Sequence, residues 1–447
     1  MKIMMRSMFS GVSGLRVHQT RMDVIAHNIA NVNTPGFKAS MMTFTEAFSQ
    51  TLQGATAPNP ALARGGTNPQ QIGLGVNAGN ISRIMTRGGA QRTDNPFHVM
   101  IEGDGFFVVG DDVGGLLFTR DGSFDQDEFG TIHLNGLPVR GWPASMGPPP
   151  GPPIMGPVAP IVIGPDMQFA QPNATSSIQF VDSNLRRGGG IVPSSINVFD
   201  SQGNSYTIGV TFVPGATINT WTVEFSTTMR RDEDGLEIEL TDAGLSEIPD
   251  FTLIFQENGR LNIDAAGGTA DGGIFTFPFD GTALGVNFGA QAPGAAAGAP
   301  GQITIDFTQM TQFGGLASSA IARDDNGRPA GTLDRLSIGG DGVITGTYSN
   351  GETIVLWQIA MANFVNPGGL ESVGNNLFAQ TSNSGIFDGI GNTPGAFGMQ
   401  LLVGTLESSN VDLASEFTQM IVTQRGFQAN SRSITTSDEM LQILVNL

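Results

Sequence analysis

The sequence contains no cysteine. Disulfides, thiolate metal sites and cysteine nucleophiles are therefore excluded. Lysine is almost missing as well: Lys2 and Lys38 stand against nineteen arginines. Charged residues make up only 14%, and their balance is acidic, with 40 Asp and Glu against 21 Lys and Arg and a net charge of −19. Such a chain gains nothing from counterion release, so nucleic acid is not an expected partner. Anionic membrane surfaces are disfavoured for the same reason. No stretch approaches the ~20 consecutive apolar residues of a membrane helix, so no membrane insertion is expected. Behind Lys2 and Arg6 only Ile3, Met4 and Met5 cluster. No apolar run of about 7–15 residues follows, and no cleavable signal peptide is expected.

Residues suited to chemistry are equally sparse. The four histidines are His18, His27, His98 and His133. His18 and His27 lie too far apart on one helix for a metal pair, which needs a spacing of about three or four. The run Asp125-Gln126-Asp127-Glu128-Phe129-Gly130 falls short of a calcium loop, with Gly136 where the closing Glu belongs and His133 at the ninth position. Asp232, Glu233, Asp234 and Gly235 fail likewise, with Glu237 at the loop glycine. Gly73-Leu74-Gly75 and Gly103-Asp104-Gly105 do not open a helix after a strand, so they read as turns. Neither G-x-S-x-G nor HExxH is present, and nothing singles out a pair of carboxylates. No catalytic residue, metal or cofactor is expected.

What is abundant is glycine, 62 residues, together with 25 prolines and 39% hydrophobic residues in a chain of 447. That composition predicts several domains of short strands and tight turns. The ends differ. Met8, Val12, Leu15, Met22, Ile25, Ile29 and Val32 fall on one stripe of a helix that stops at Asn33-Thr34-Pro35-Gly36. At the other end Leu413, Phe417, Met420, Gln424, Phe427, Ser431, Ile434, Asp438, Leu441 and Val445 keep a 4-3 spacing. The series Leu413, Met420, Phe427, Ile434 and Leu441 is apolar throughout, a one-sided coiled-coil seam. Ser409 and Asp412 read as the start of that helix.

Strands are predicted between the ends at 99–102, 106–109, 117–119, 131–134, 196–199, 206–213, 221–227, 236–240, 251–255, 274–277, 303–307, 343–348 and 353–363. Turn signals such as Asp121-Gly122, Asn258-Gly259 and Asn350-Gly351 separate them. The expected fold class is mainly β with α-helical termini, in a nested multidomain plan. Residues 1–37 and 406–447 form a helical terminal core, 38–74 a linker, and 75–142 with 345–405 a middle β domain. Residues 143–160 form a stiff Pro-rich connector, and 161–344 an inserted outer domain of barrel or sandwich type. The Gly-, Ala- and Pro-rich stretch 289–301 reads as a flexible loop.

A narrow apolar stripe needs burial. The two terminal helices are distant in sequence, so pairing them costs loop entropy. Gly11 and Gly14 also weaken the first helix by about 1 kcal/mol each relative to Ala. With no third element to complete a core, the ends are expected to order only on self-assembly.

Specific motifs agree with that expectation. Ser7-Met8-Phe9-Ser10-Gly11-Val12-Ser13-Gly14-Leu15 and the run from Asn28 through Asn31, Asn33, Gly36 and Phe37 to Lys38 resemble the N-terminal signature of bacterial flagellar rod and hook axial proteins. Asn410-Val411-Asp412-Leu413 and Gln424-Arg425-Gly426-Phe427-Gln428-Ala429-Asn430 resemble the matching C-terminus. Gly103-Asp104-Gly105-Phe106-Phe107 is similar to a pattern shared by both types, and Val198-Phe199-Asp200-Ser201-Gln202-Gly203-Asn204 resembles the hook type's inserted domain. His98 stands where the pattern has Asp, and the prolines at 148–153 are atypical.

The resemblance implies a structural subunit of the flagellar hook. It would self-assemble into a curved tube that passes motor torque to the filament as a universal joint. It further implies partners: the chain itself, a hook cap protein, the distal rod, a hook–filament junction protein and the flagellar type III export apparatus. Localisation would be the extracellular hook of the flagellum. A distal rod protein with an insertion is the first rival, since rod types are expected to be shorter. A secreted β-rich adhesin or glycan-active protein is the second.

Overall fold

The computed structural model describes the chain except residues 1, 59–64, 111–114, 146–150, 241–249, 263–272, 280–285, 290–300 and 446–447. Most of the expected loop at 289–301 and the first prolines of the run at 148–153 thus lie outside the described residues. The chain divides into two compact units. One comprises 1–164, 336–345 and 355–447; the other comprises 165–335 and 346–354.

The first unit opens with helix α1 (Lys2–Ala30). It ends in turns over Asn31–Gly36, where Gly36 takes φ +68°. Glycine is required there, because a Cβ would also meet the Asp121 backbone nitrogen at 2.8 Å. The segment expected to be a linker instead carries strands: β1 (Ser40–Glu46), β2 (Ser49–Gln53) and β3 (Gln70–Gly73), followed by β4 (Val76–Arg83). β1 pairs antiparallel with β4 from Ser40↔Arg83 to Glu46↔Val76, and β2 pairs with β3. Both ribbons are largely exposed and rich in Ser, Thr and Gln, so they lack the burial that produces a clear in–out alternation.

Strands from distant parts of the chain interleave in this unit. β5 (Ala90–Arg92) pairs with Thr405–Glu407, and β6 (Val99–Glu102) with Gln400–Val403. β7 (Phe106–Val109) lies between Met361–Ala362 and β8 (Leu117–Thr119), and β8 pairs in turn with Leu377–Ala379. The apolar runs here are buried on both faces: Val99, Met100, Ile101, Phe107, Val108, Val109 and Phe118 are fully enclosed. Continuous hydrophobicity is what such strands require. The Pro-rich segment does not run on as an extended connector. Its described part folds back, with Gly151–Pro153 and Ala159–Pro160 pairing along Arg140–Ser145. Proline is tolerated at such sheet edges because no ladder donor is needed there.

Among its described residues the second unit is built mainly of strands, with one 3-10 turn at Pro165–Met167. One sheet runs Val192–Phe199, Ser205–Pro214, Thr220–Arg231, with Glu237–Glu239 and Phe251–Ile254 both on the last of these. The other runs Ile274–Phe279, Gly301–Asp306, Ser177–Asn184, Ser319–Asp324. Ser205–Pro214 alternates buried and half-buried positions with period two, so its hydrophobic face is fixed in register. The shared core is aromatic: Phe180 stacks on Phe307 at 5.0 Å between centroids, and Phe251 on Phe275 at 4.4 Å. Each such side chain contributes about 1.5–3 kcal/mol through burial.

Asp200 anchors the hairpin at 200–204. It is fully buried and accepts hydrogen bonds from the Gln202 and Asn204 amides, the Asn204 side chain and the Tyr206 hydroxyl. Burial, then the Asp200 charge, push the Tyr206 hydroxyl up to about 12. The folded unit therefore keeps a proton that the unfolded chain releases near 10. The stability linked to this group is full below pH 10 and is lost as pH rises towards 12. Tyr206→Phe is expected to cost about 1 kcal/mol at neutral pH and to flatten the decline above pH 10. Denaturation midpoints across pH 9–12 check this, and a decline that survives the substitution unchanged would refute it.

Candidate assembly site

Helix α2 (Leu413–Val445) has 33 residues, about 50 Å at 1.5 Å per residue. Asp412 caps it by accepting the Ala414 amide at 2.9 Å, so the cap is Asp412 rather than Ser409. α2 runs antiparallel to α1. Ser7 meets Ser437 at 3.1 Å, Arg21 donates to Gln419 at 3.2 Å, and Asn28 donates to Glu416 at 3.0 Å. The helix glycines sit in this seam. A Cβ on Gly11 would meet Ile434 at 2.9 Å, on Gly14 Asn430 at 2.8 Å, and on Gly426 the His18 ring at 2.5 Å. What Gly11 and Gly14 cost in helix propensity is thus offset by close approach of the two backbones.

The pairing has the expected 3-4 spacing but occupies a neighbouring stripe. Glu416, Gln419, Thr423, Gly426, Asn430, Ile434 and Ser437 face α1. Thr423, Ser437 and Glu416 are the buried side chains of α2. The apolar series lies beside this stripe and shares Ile434 with it: Met420, Phe427, Ile434 and Leu441 are half-buried, whereas Leu413 and Phe417 are exposed. Val445 lies in the last turn, with its side chain outside the described residues. On α1, Ile25 is buried, Met8, Leu15, Met22 and Ile29 are half-buried, and Val12 is 40% exposed. Val17, absent from the predicted stripe, is buried. A third element does exist: β1 and β4 pack on α1 and bury Ala39 and Met42. Within one chain the helix seam is therefore small and polar. Phe417, Ile421 and Val422, each at least 50% exposed, form an outward apolar patch in the first turns of α2, and Ile443 is exposed near its end.

Below the pair the two chain ends are joined by a buried ionic clasp. Lys38 and Glu407 are 1% and 0% exposed and meet at 2.6 Å. Lys38 also donates to the Thr86 carbonyl at 2.9 Å, and Glu407 accepts the Gly88 amide at 2.8 Å. Arg120 lies 3.7 Å from the other Glu407 oxygen and 5.3 Å above the Phe106 ring. Burial pulls Lys38 below its usual range, and the Glu407 carboxylate opposes that pull. Burial likewise lowers Arg120.

Several of the predicted motif residues lie close to this clasp, whereas Gly426, Gln428 and Asn430 sit on α2, in or beside the helix seam. Asn28 donates to the Ser40 carbonyl and accepts the Ser40 amide. Asn410 accepts the Ala39 amide at 2.7 Å and donates to Ile84 and Thr86. The Gly36 amide donates to the Glu407 carbonyl, and Phe37 lies edge-on to His27 at 5.5 Å. Asn31 donates back to the His27 carbonyl and closes α1, while Asn33 is exposed. Gly103, at φ +120°, and Gly105 turn β6 into β7 against Met399. Phe106 and Phe107 fill the core beneath, and Gln428 accepts from Arg425 on the surface. Glu407 is not among the expected site residues, and Lys38 is expected only as the end of the N-terminal motif, with no partner assigned. Its scarcity, one of two lysines, was the available signal.

Among the described residues no cluster of His, Cys, Asp and Glu could hold a metal, and no helix is long and apolar enough to cross a membrane. The features that stand out are mechanical: distant ends locked together, with a greasy helical face left over. They define a structural protein built to pack against other chains.

Comparisons with known proteins agree with this class. Four family profiles match along the chain: "Flagella basal body rod protein" at 8–38, "Flagellar hook protein FlgE/F/G D1 domain" at 100–179, "Flagellar basal body protein FlaE D2 domain" at 190–327 and "Flagellar basal body rod FlgEFG protein C-terminal" at 402–447. The flagellar hook protein FlgE of Borreliella burgdorferi is 37% identical, with 99% of this chain and all of the relative covered. That of Treponema pallidum is 36% identical with the same coverage. The chain belongs to the flagellar hook and rod protein family, on the hook side. A relative named flagellar basal-body rod protein FlgG, from Bacillus subtilis, is 28% identical over 99% of both chains. Length therefore does not separate rod from hook, contrary to expectation, and the higher identity to hook proteins carries the distinction.

Removing Lys38 leaves Glu407 buried with only Arg120 nearby. Lys38→Met is expected to destabilise the first unit by about 3–5 kcal/mol, and the double variant Lys38→Met, Glu407→Leu to recover much of that loss. Thermal or urea unfolding checks this. Equal stability of Lys38→Met and wild type would show that the clasp is dispensable.

Proposed function

We propose that this chain is the subunit that polymerises into the flagellar hook, a curved helical tube that bends while transmitting torque. The observation that carries the reading is the outward apolar face of the helix pair, which its own chain does not cover. Large exposed apolar patches mark interaction sites. A subunit that contacts copies head-to-tail without closing a ring builds an open helical filament. The nested layering expected from the sequence belongs to this proposal: terminal helices as the firm inner tube, the middle β domain as the wall, and the inserted domain expected at 161–344 as the layer whose contacts shift during bending. The cap, distal rod, hook–filament junction and export apparatus are the partners that the family membership supports, with export independent of a cleaved signal.

Phe417→Asp and Ile421→Asp, both at exposed positions, are expected to abolish polymer while leaving the folded subunit intact. Circular dichroism together with electron microscopy of the assembled material checks this. Normal curved tubes from both variants would contradict the proposal, and straight rigid shafts from the wild type would favour the rod assignment.

A further inference from the structure

We infer that the notch between the end of α1 and the turn at 374–376 is a socket for a carboxylate side chain of a second copy of this chain. The inference rests on the polymer reading above and names a contact within it. The notch has a volume of about 270 Å³ and lies wholly within the first unit. Phe37 and Phe378 are its buried aromatic walls, and Arg83, His27 and Asn375 border it.

Its charge is opposite to that of the molecule. Every copy carries 40 acidic residues against 21 basic ones, yet no acidic residue lines this notch. Arg83 lies over the Phe378 ring at 5.1 Å and makes no salt bridge among the described residues. Lys38, the other cation here, is already committed to Glu407. Arg83 thus presents a half-buried guanidinium whose planar fork matches a carboxylate bidentately. Partial burial also holds its pKa below the ordinary arginine value, so the site favours a counter-charge. The partial negative charge at the end of α1 opposes an anion by only about half a unit, against the full charge of Arg83.

A second copy is the occupant that the composition favours. Acidic side chains are what each neighbour has in excess. Electrostatic complementarity of this sort fixes register between partners, which a helical tube requires at every joint.

The test measures the critical concentration for polymerisation by sedimentation, for the wild type, Arg83→Glu, Arg83→Lys and Asn375→Asp. Asn375 sits at φ +48°, a conformation that Asp tolerates, so that variant places a negative charge at the rim without removing packing. The expected result is a rise of about tenfold or more for Arg83→Glu and Asn375→Asp, and a smaller one for Arg83→Lys. Should Arg83→Glu misfold by circular dichroism, Asn375→Asp decides. Polymerisation of Asn375→Asp at the wild-type concentration overturns the socket while leaving the hook reading intact. Failure of the wild type to polymerise would overturn both.

Discussion

The pairing of Lys38 with Glu407 is the interaction on which the rest depends. It joins residues separated by almost the whole chain. Close by, the Gly36 amide donates to the Glu407 carbonyl and the Asn376 side chain to the Pro35 carbonyl. Two charges in a dry interior are costly unless they are paired and hydrogen-bonded. Here both are, through the Thr86 carbonyl and the Gly88 amide, while the second Glu407 oxygen is buried with Arg120 at 3.7 Å and no hydrogen bond of its own. Such a pair is more valuable for specificity than for net stability: only the correct apposition of the two ends satisfies it, and a slipped register strands both charges.

From that fixed point the two helices run out side by side with a seam of glycine, serine, threonine and asparagine. Small residues bring the backbones together at little hydrophobic gain. The consequence is a division of labour around α2. Its polar stripe packs on α1 of the same chain, and Phe417, Ile421 and Val422 stay exposed. The acidic surface adds the opposing restraint, since like-charged copies repel until specific contacts outweigh the repulsion.

Much of this was legible in the residues, and the remainder failed for identifiable reasons. The strands at 99–102, 106–109 and 117–119 are readable because runs such as Phe106-Phe107-Val108-Val109 have a β-rich composition bounded by glycine turns. Both helices are readable from period. The ribbons β1 to β4 are not, because their apolar residues, Met41, Phe44, Leu52, Ile72 and Ile81, are scattered and exposed and so leave no clear in–out alternation. The seam on α2 has the right spacing on the wrong stripe. Periodicity identifies greasy positions, and this contact is made by the small ones. Glu407 is illegible in principle: a lone carboxylate in Thr405-Leu406-Glu407 gives no sign that its partner lies near the other end of the chain.

The most direct test of the central claim is hydrogen exchange on the full-length subunit before and after Glu407→Gln. If the clasp holds the two ends as one unit, amides in α1 and α2 should lose protection together and to similar extents in the variant, while those in the second unit's sheets stay unchanged. If only one helix loosens, or neither does, the ends are held independently of the clasp and the account is wrong.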